Sequence, residues 1–254
     1  MSIFFNTAAG GHRLIDNVNL VPEFIGKVTL NPTPVVGNEG GELDYLVHRY
    51  DGRMPATNGR PFMLFWTLPV SAADIWWWPQ EQYGSPGASW EFTSILAYFS
   101  ASTTPPPVLP EAYVFSLGPV EISSAPMAAR LWDTAGRLLF DSGKVHLALQ
   151  QVAAGIEMGG LESTHDLLPL PVKPAFLFPS VYRHREAYDR GRQLADYTRW
   201  LGCYRRTGNS MTTRVVEVIN AQRVPHQSLS YFQDQTYGNT NGLVLPVIDA
   251  SLYE

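Results

Sequence analysis

The segment Ala129-Arg130-Leu131-Trp132-Asp133-Thr134-Ala135-Gly136-Arg137-Leu138-Leu139-Phe140-Asp141-Ser142-Gly143 constrains the fold more than any other part of this chain. Two short apolar runs flank Asp133-Thr134-Ala135-Gly136. Asp is favoured at the first position of a type I turn because its carboxylate accepts a bond from the backbone N–H two residues on. Gly is favoured at the fourth, where a positive φ meets no Cβ clash. The segment therefore predicts a tight β-hairpin that ends in a second polar turn at Asp141-Ser142-Gly143.

The rest of the chain points to the same class. Its 254 residues can hold one large β domain or two smaller ones, and either can bury a core. Charged residues are only 16% and aromatic residues 12%, with 20 Pro and 21 Gly. That balance suits many short strands joined by turns. It also suits a subunit that hides surface in an assembly, since interface cores lose charge and gain Trp and Tyr. The expected class is mainly β, with antiparallel β-sandwich-like domains and little helix.

Strands are expected at Phe24–Leu30, Leu43–Tyr50, Pro61–Val70, Trp90–Phe99 and Glu111–Leu117. Phe62-Met63-Leu64-Phe65-Trp66-Thr67-Leu68 is continuously apolar but for Thr67, the pattern of a strand buried on both faces. Gly155–Gly160 and the Pro-rich run 168–174 read as a linker. A boundary near residue 160 is expected, with residues 1–160 as an N-terminal β-sandwich-like domain and 161–254 as a C-terminal β-rich domain. In the second, Leu194, Tyr197 and Leu201 share a helical spacing, so Glu186–Leu201 is the expected short helix. Thr207-Gly208-Asn209 is expected to turn a strong second hairpin into the β-branched run Met211–Ile219. Pro246 within Leu243–Ile248 suggests an edge strand. A weak echo also links residues 5–17 to residues 132–142, both reading apolar, Asn/Asp, Thr-Ala, Gly, Arg-Leu.

The formal net charge of −5 and the lack of a basic stripe leave nucleic-acid binding without an electrostatic footprint. Cys203 is the single cysteine, so no intramolecular disulfide forms. The N-terminus does not read as a secretory signal, and no run approaches the ~20 apolar residues of a membrane helix. These features predict a soluble chain made in the cytoplasm.

Catalytic patterns are not found in the sequence. His12, His48, His146, His165, His184 and His226 include no pair at the spacing of a zinc helix. There is no Gly-x-Ser-x-Gly elbow and no phosphate-cradling glycine loop. Glu39, Glu42 and Asp44 lie close in sequence, and paired acids could serve a glycosidase, but such residues usually occupy solvated loops. Asp234 and Asp249 have the same status. Cys203 beside Gly202 and Tyr204 reads as a small buried residue of a strand. No catalytic residue, cofactor or metal is expected.

Trp76-Trp77-Trp78 is the sharpest remaining feature. In a strand, Trp76 and Trp78 face one way and Trp77 the other, so three indoles load both faces. One reading packs them in the core. The other makes them anchors for a neighbouring subunit or a sugar, with Tyr83 and Trp90 extending the surface.

The phrase Arg130–Gly143 resembles one common in small tail-tip and tail-fibre proteins of tailed bacteriophages, where an apolar strand, an Asn/Asp-x-x-Gly turn and a strand ending Phe-Asp-Ser recur. The opening Asn6-Thr7-Ala8-Ala9-Gly10-Gly11, with Val21-Pro22-Glu23-Phe24 after it, is similar to the N-terminus of such proteins, as is Arg60-Pro61-Phe62-Met63-Leu64-Phe65-Trp66. The likeness covers about the first 150 residues. It implies a virion protein of the tail, structural rather than enzymatic, with other tail proteins and copies of itself as partners. Host attachment through a surface glycan or pilus comes with that reading, and a carbohydrate-binding module using exposed Trp and Tyr is the alternative.

Overall fold

The computed structural model describes residues 7–9, 12–15, 21–37, 45–57, 60–70, 75–80, 92–100, 108–117, 121–158, 162–167, 169–178, 182–189, 194–225, 232–237 and 242–254. The strands are β1 (Thr7–Ala9), β2 (His12–Ile15), β3 (Glu23–Lys27), β4 (Thr29–Leu30), β5 (Val35–Gly37), β6 (Tyr45–Arg53), β7 (Phe62–Thr67), β8 (Trp76–Gln80), β9 (Phe92–Ser100) and β10 (Glu111–Ser116). They continue with β11 (Arg130–Trp132), β12 (Leu138–Asp141), β13 (Leu149–Ile156), β14 (Ser163–Asp166), β15 (Pro174–Leu177), β16 (Tyr182–Asp189), β17 (Leu194–Thr207), β18 (Ser210–Pro225), β19 (Phe232–Tyr237) and β20 (Leu243–Asp249). A 3₁₀ turn at Ala250–Tyr253, capped by the Asp249 side chain on Ser251 N, is the one helical element among the described residues.

The fold is mainly β and antiparallel. One sheet runs β13-β20-β15-β7-β10-β3, and a larger one runs β14-β18-β17-β8-β9-β6-β4, with β16 added beside β17, β19 beside β16 and β5 beside β6. Their inner faces share one core. Leu64, Trp66, Val114, Phe176, Leu245 and Val247 of the first sheet meet Tyr50, Trp77, Tyr204 and Met211 of the second. The outer face of the six-stranded sheet carries a second cluster, in which Phe65, Tyr113, Phe115 and Ile248 are covered by Ala250 and Tyr253. β7 is therefore buried on both faces, as its apolar run predicts. Each large side chain enclosed in this way contributes roughly 1.5–3 kcal/mol.

The β11–β12 hairpin forms as expected. Arg130 lies opposite Asp141 and Leu131 opposite Phe140. Asp133 Oδ1 accepts from Ala135 N at 2.9 Å and Arg137 N at 2.8 Å, and Gly136 has φ +78°. The turn at Thr207–Ser210 also forms, and the strands it joins pair over thirteen positions, from Leu194 opposite Pro225 to Thr207 opposite Ser210. At about 3.3 Å per residue, the 14 residues of β17 extend roughly 46 Å. The near half of this hairpin joins the body of the larger sheet, through Tyr204 opposite Trp77 of β8 and residues 210–213 opposite β14. The far half pairs with β16, and β16 in turn with β19.

Several expectations are corrected. The helix over 186–201 is replaced by β16 and β17. Tyr182 pairs with Leu201 and Asp189 with Leu194, and the irregular register between Ala195 and Tyr197 breaks the two-residue alternation that marks a strand. The boundary at residue 160 does not separate the sheets: β15 pairs with β7 and β20 with β13, so backbone ladders cross it. Pro246 does not mark an edge, since β20 lies between β13 and β15. The β15 ladder stops at Val247, one residue short of the proline, and on the other side Pro246 lies opposite Val152 of β13. The echo between residues 5–17 and 132–142 yields two separate hairpins, β1–β2 and β11–β12, but out of phase. Thr7 and Ala8 lie in a strand, whereas Thr134 and Ala135 form a turn.

Candidate functional site

The three indoles of β8 are set by pairing with β9, where Trp76, Trp77 and Trp78 lie opposite Tyr98, Ala97 and Leu96. Trp77 enters the shared core. Trp76 is buried beneath two guanidinium groups, with Arg205 Cζ 4.3 Å and Arg214 Cζ 5.9 Å from its ring. Glu162 accepts from Arg205 at 3.0 Å and forms a looser ion pair with Arg214 at 3.7 Å. Trp78 is buried too, and its Nε1 has no hydrogen-bond partner among the described residues. All three are core side chains, as the packing reading has it, and none of them offers an exposed face to a subunit or a sugar. A run of apolar residues on both sides of a strand needs cover on both faces, and here the chain itself supplies it. Tyr83 and Trp90, like Glu39, Glu42 and Asp44, lie outside the described residues. Cys203 is fully buried, and burial pushes its thiol well above the ordinary range, so it is no nucleophile.

A polar cleft of about 410 Å³ opens where β3 meets the end of the β11–β12 hairpin. Glu23, Ile25, Arg60, Glu121, Gly143 and Lys144 line it. The Glu23 carboxylate is nearly enclosed and pairs with Lys144 Nζ at 3.2 Å. The cleft wall at Gly143 has no room for a side chain, because an added Cβ would lie 2.2 Å from Ser123 Oγ and 2.8 Å from Ala125 Cβ. The strand segment after the wall is tied back to β3 by Phe24 N donating to Val145 O and Leu147 N donating to Pro22 O, both 2.9 Å. Glu23 is thus committed to a lysine, and the other charged groups of the cleft among the described residues are Arg60 and Glu121.

On the outer face of the same sheet, residues from four distant segments gather around Tyr113. Its hydroxyl lies within donating distance of Glu111 Oε2 at 3.3 Å or Glu254 Oε1 at 3.4 Å, one at a time. Lys173 Nζ pairs with Glu111 at 2.5 Å and also with Glu254, and Lys27 Nζ reaches the two carboxylates at 3.8 and 3.5 Å. Both ammonium groups also lie near the phenol ring, at 5.0 and 5.7 Å from its centroid. Burial opposes the lysine charges, but bonds to Glu111, Glu254 and Tyr113 hold Lys173 above its usual value, and Tyr113 with the carboxylates does the same for Lys27. The Lys173 bond pulls Glu254 down, and burial pushes Tyr113 up. This cluster anchors the C-terminal turn to the sheet.

Sequence reading did not single out either group. Lys27 and Glu254 are 227 positions apart, and Lys173 and Glu254 81, so no local spacing could announce them. Among the described residues, no group of three or more His, Cys, Asp or Glu side chains is arranged to hold a metal ion. Compared with known protein families, curated proteins and solved structures, the chain matches none.

Proposed function

We propose that this chain is a structural subunit of a bacteriophage tail tip, baseplate or fibre, working in tail assembly and host attachment as part of the virion. The observation that carries the reading is the β17–β18 hairpin. Its near half belongs to the body, and its far half builds a separate ladder with β16 and β19. A strand pair of roughly 46 Å offers a neighbour a long rigid surface. The low charge and the resemblance of Arg130–Gly143 to tail-tip and tail-fibre phrases support the same reading. Its partners would be copies of itself and other tail proteins. The mechanism is burial of apolar surface between them, worth about 25 cal/mol per Å² before the costs of association.

Light scattering on the size-fractionated protein, followed by negative-stain imaging, tests this. Rings, trimers or fibres are the expected outcome. A monomer that retains glycans on an array would instead favour the carbohydrate-binding reading, with the polar cleft of Glu23 and Lys144 in place of the buried indoles.

A further inference from the structure

The six-stranded sheet closes on itself. At one end of its order, β3 meets the chain just ahead of β13: Glu23 bridges His146, and Phe24 N and Leu147 N donate to Val145 O and Pro22 O, both at 2.9 Å. From that bridge the chain runs directly into β13, at the other end of the order. Residues 145–156 thus neighbour β3 at their start and β20 at their end, and the ladder becomes a ring. The face turned away from the larger sheet lines the inside of that ring, where Phe24, Phe65, Phe115, Leu147, Ala175 and Ile248 pack together. The joint between β3 and residues 145–147 is the thinnest, with one bridged pair against two to six aligned pairs at each of the others. Tyr253 sits at this joint. Its hydroxyl donates to His146 O at 3.1 Å and accepts from Ala148 N at 2.8 Å, so it fixes the peptide groups on both sides of Leu147. Its ring packs inside against Phe24 and Phe115, with centroids 5.2 and 4.9 Å away.

We propose that the C-terminal turn is a latch and that the β3 joint is the gate it controls. While Tyr253 is seated the ring is shut. When it leaves, the joint opens and the rest of the ladder stays paired. The latch works through Leu147, because the Tyr253 bonds go to the peptide groups flanking that residue, whose own N–H holds the gate on Pro22. The seat is set from the far side of the turn, by Ala250 N on Lys173 O at 2.8 Å and by the charged group around Tyr113 that holds Glu254. An open gate bares the backbone edge of β3 and the Phe24 ring, both of which the shut ring hides.

Native-state amide exchange on the full chain tests both parts. In the wild type, Phe24 N and Leu147 N should exchange together through a local opening, while the amides of β10 wait for global unfolding. Exchange of Phe24 and Leu147 only in step with β10 would overturn the gate. Tyr253→Phe keeps the ring and removes the hydroxyl alone. If opening requires Tyr253 to leave, the variant destabilises the shut state against the open and the unfolded states alike. Exchange at Phe24 and Leu147 should then quicken about tenfold, the scale of one or two lost hydrogen bonds, and by the same factor as β10. A variant that quickens β10 but not Phe24 and Leu147 would show that the joint opens with Tyr253 still seated, and one that quickens neither would show that the hydroxyl holds nothing. Either result overturns the latch. The wild-type measurement decides the gate even where the variant does not fold.

Discussion

Arg130 and Asp141 face each other across the β11–β12 hairpin, joined at 3.0 Å, and the Asp141 carboxylate has no exposure to solvent. The same carboxylate accepts from Ser123 N at 2.8 Å, Ser123 Oγ at 2.9 Å and Gly143 N at 2.8 Å. One acid thus ties the hairpin, its closing turn and the preceding loop together. Burial opposes its charge, yet the backbone N–H groups of Ser123 and Gly143, with Arg130, hold it far below the usual carboxylate range.

Asp141→Ala should therefore lower the Tm by roughly 5 °C or more, because it strands Arg130 and two backbone donors at once. A carboxylate held low in the folded state contributes its stability above the ordinary carboxylate value. The contribution drains away as the pH falls below that value. The gap in denaturant midpoint between wild type and Asp141→Ala should accordingly be full near neutrality and narrow on acidification. A gap that stays constant down to strongly acid pH would contradict the assignment.

How much of this was legible in the sequence depended on distance along the chain. The β11–β12 turn is written in four residues, Asp133 to Gly136, and it folds as written. β7 announces two covered faces because its own run is apolar on both. The cover itself is not local: Tyr204 and Met211 of the larger sheet, more than a hundred positions onward, close one face of β7, and Ala250 and Tyr253 close the other. Trp76–Trp78 could be read as a strand heavy in indole, but not the arginines that roof Trp76, which come from the distant hairpin. The helix over 186–201 failed for a related reason. Side-chain spacing there carries no information about the partner strands, and pairing with β16 and β18 decides the conformation.

Two glycines separate steric need from conformational need. A Cβ on Gly52 would lie 2.5 Å from Val28 Cγ1 and 2.8 Å from Leu30 Cδ2, where β4 closes on β6. Gly52→Ala should cost about 1–3 kcal/mol in urea unfolding through overpacking. Gly136 has open space around it but φ +78°, so Gly136→Ala should cost about 1 kcal/mol through backbone strain alone. Replacing Val28 by Ala should relieve the first variant and leave the second unchanged. Relief of both, or of neither, would refute the distinction.

Cys203 supplies a readout of core integrity. Its thiol is buried, and burial keeps it protonated. A thiol reagent should label the native chain at least about a hundredfold more slowly than the chain in concentrated urea. Rapid labelling of the native protein would mean that β17 opens locally or packs less closely than its register implies.

The cluster around Tyr113 should govern the alkaline limb of stability. Lys173 and Lys27 are held above their usual values by the carboxylates and phenol beside them, and Tyr113 is raised by burial. A group raised in the folded state contributes fully below its unfolded value and loses that contribution as the pH climbs through the folded one. Lys173→Met should lower the Tm by about 2–4 °C at neutral pH, the scale of a partly exposed pair. The difference should shrink above roughly pH 10.5, where the unfolded lysine begins to lose its proton. The Tyr113 share of phenolate absorbance, taken as wild type minus Tyr113→Phe, should rise later than for a free tyrosine, since burial and the Glu111 carboxylate disfavour its anion. An ordinary tyrosine titration together with a pH-independent Lys173→Met difference would show that the C-terminal turn is held by Tyr253 and Ala250 packing alone.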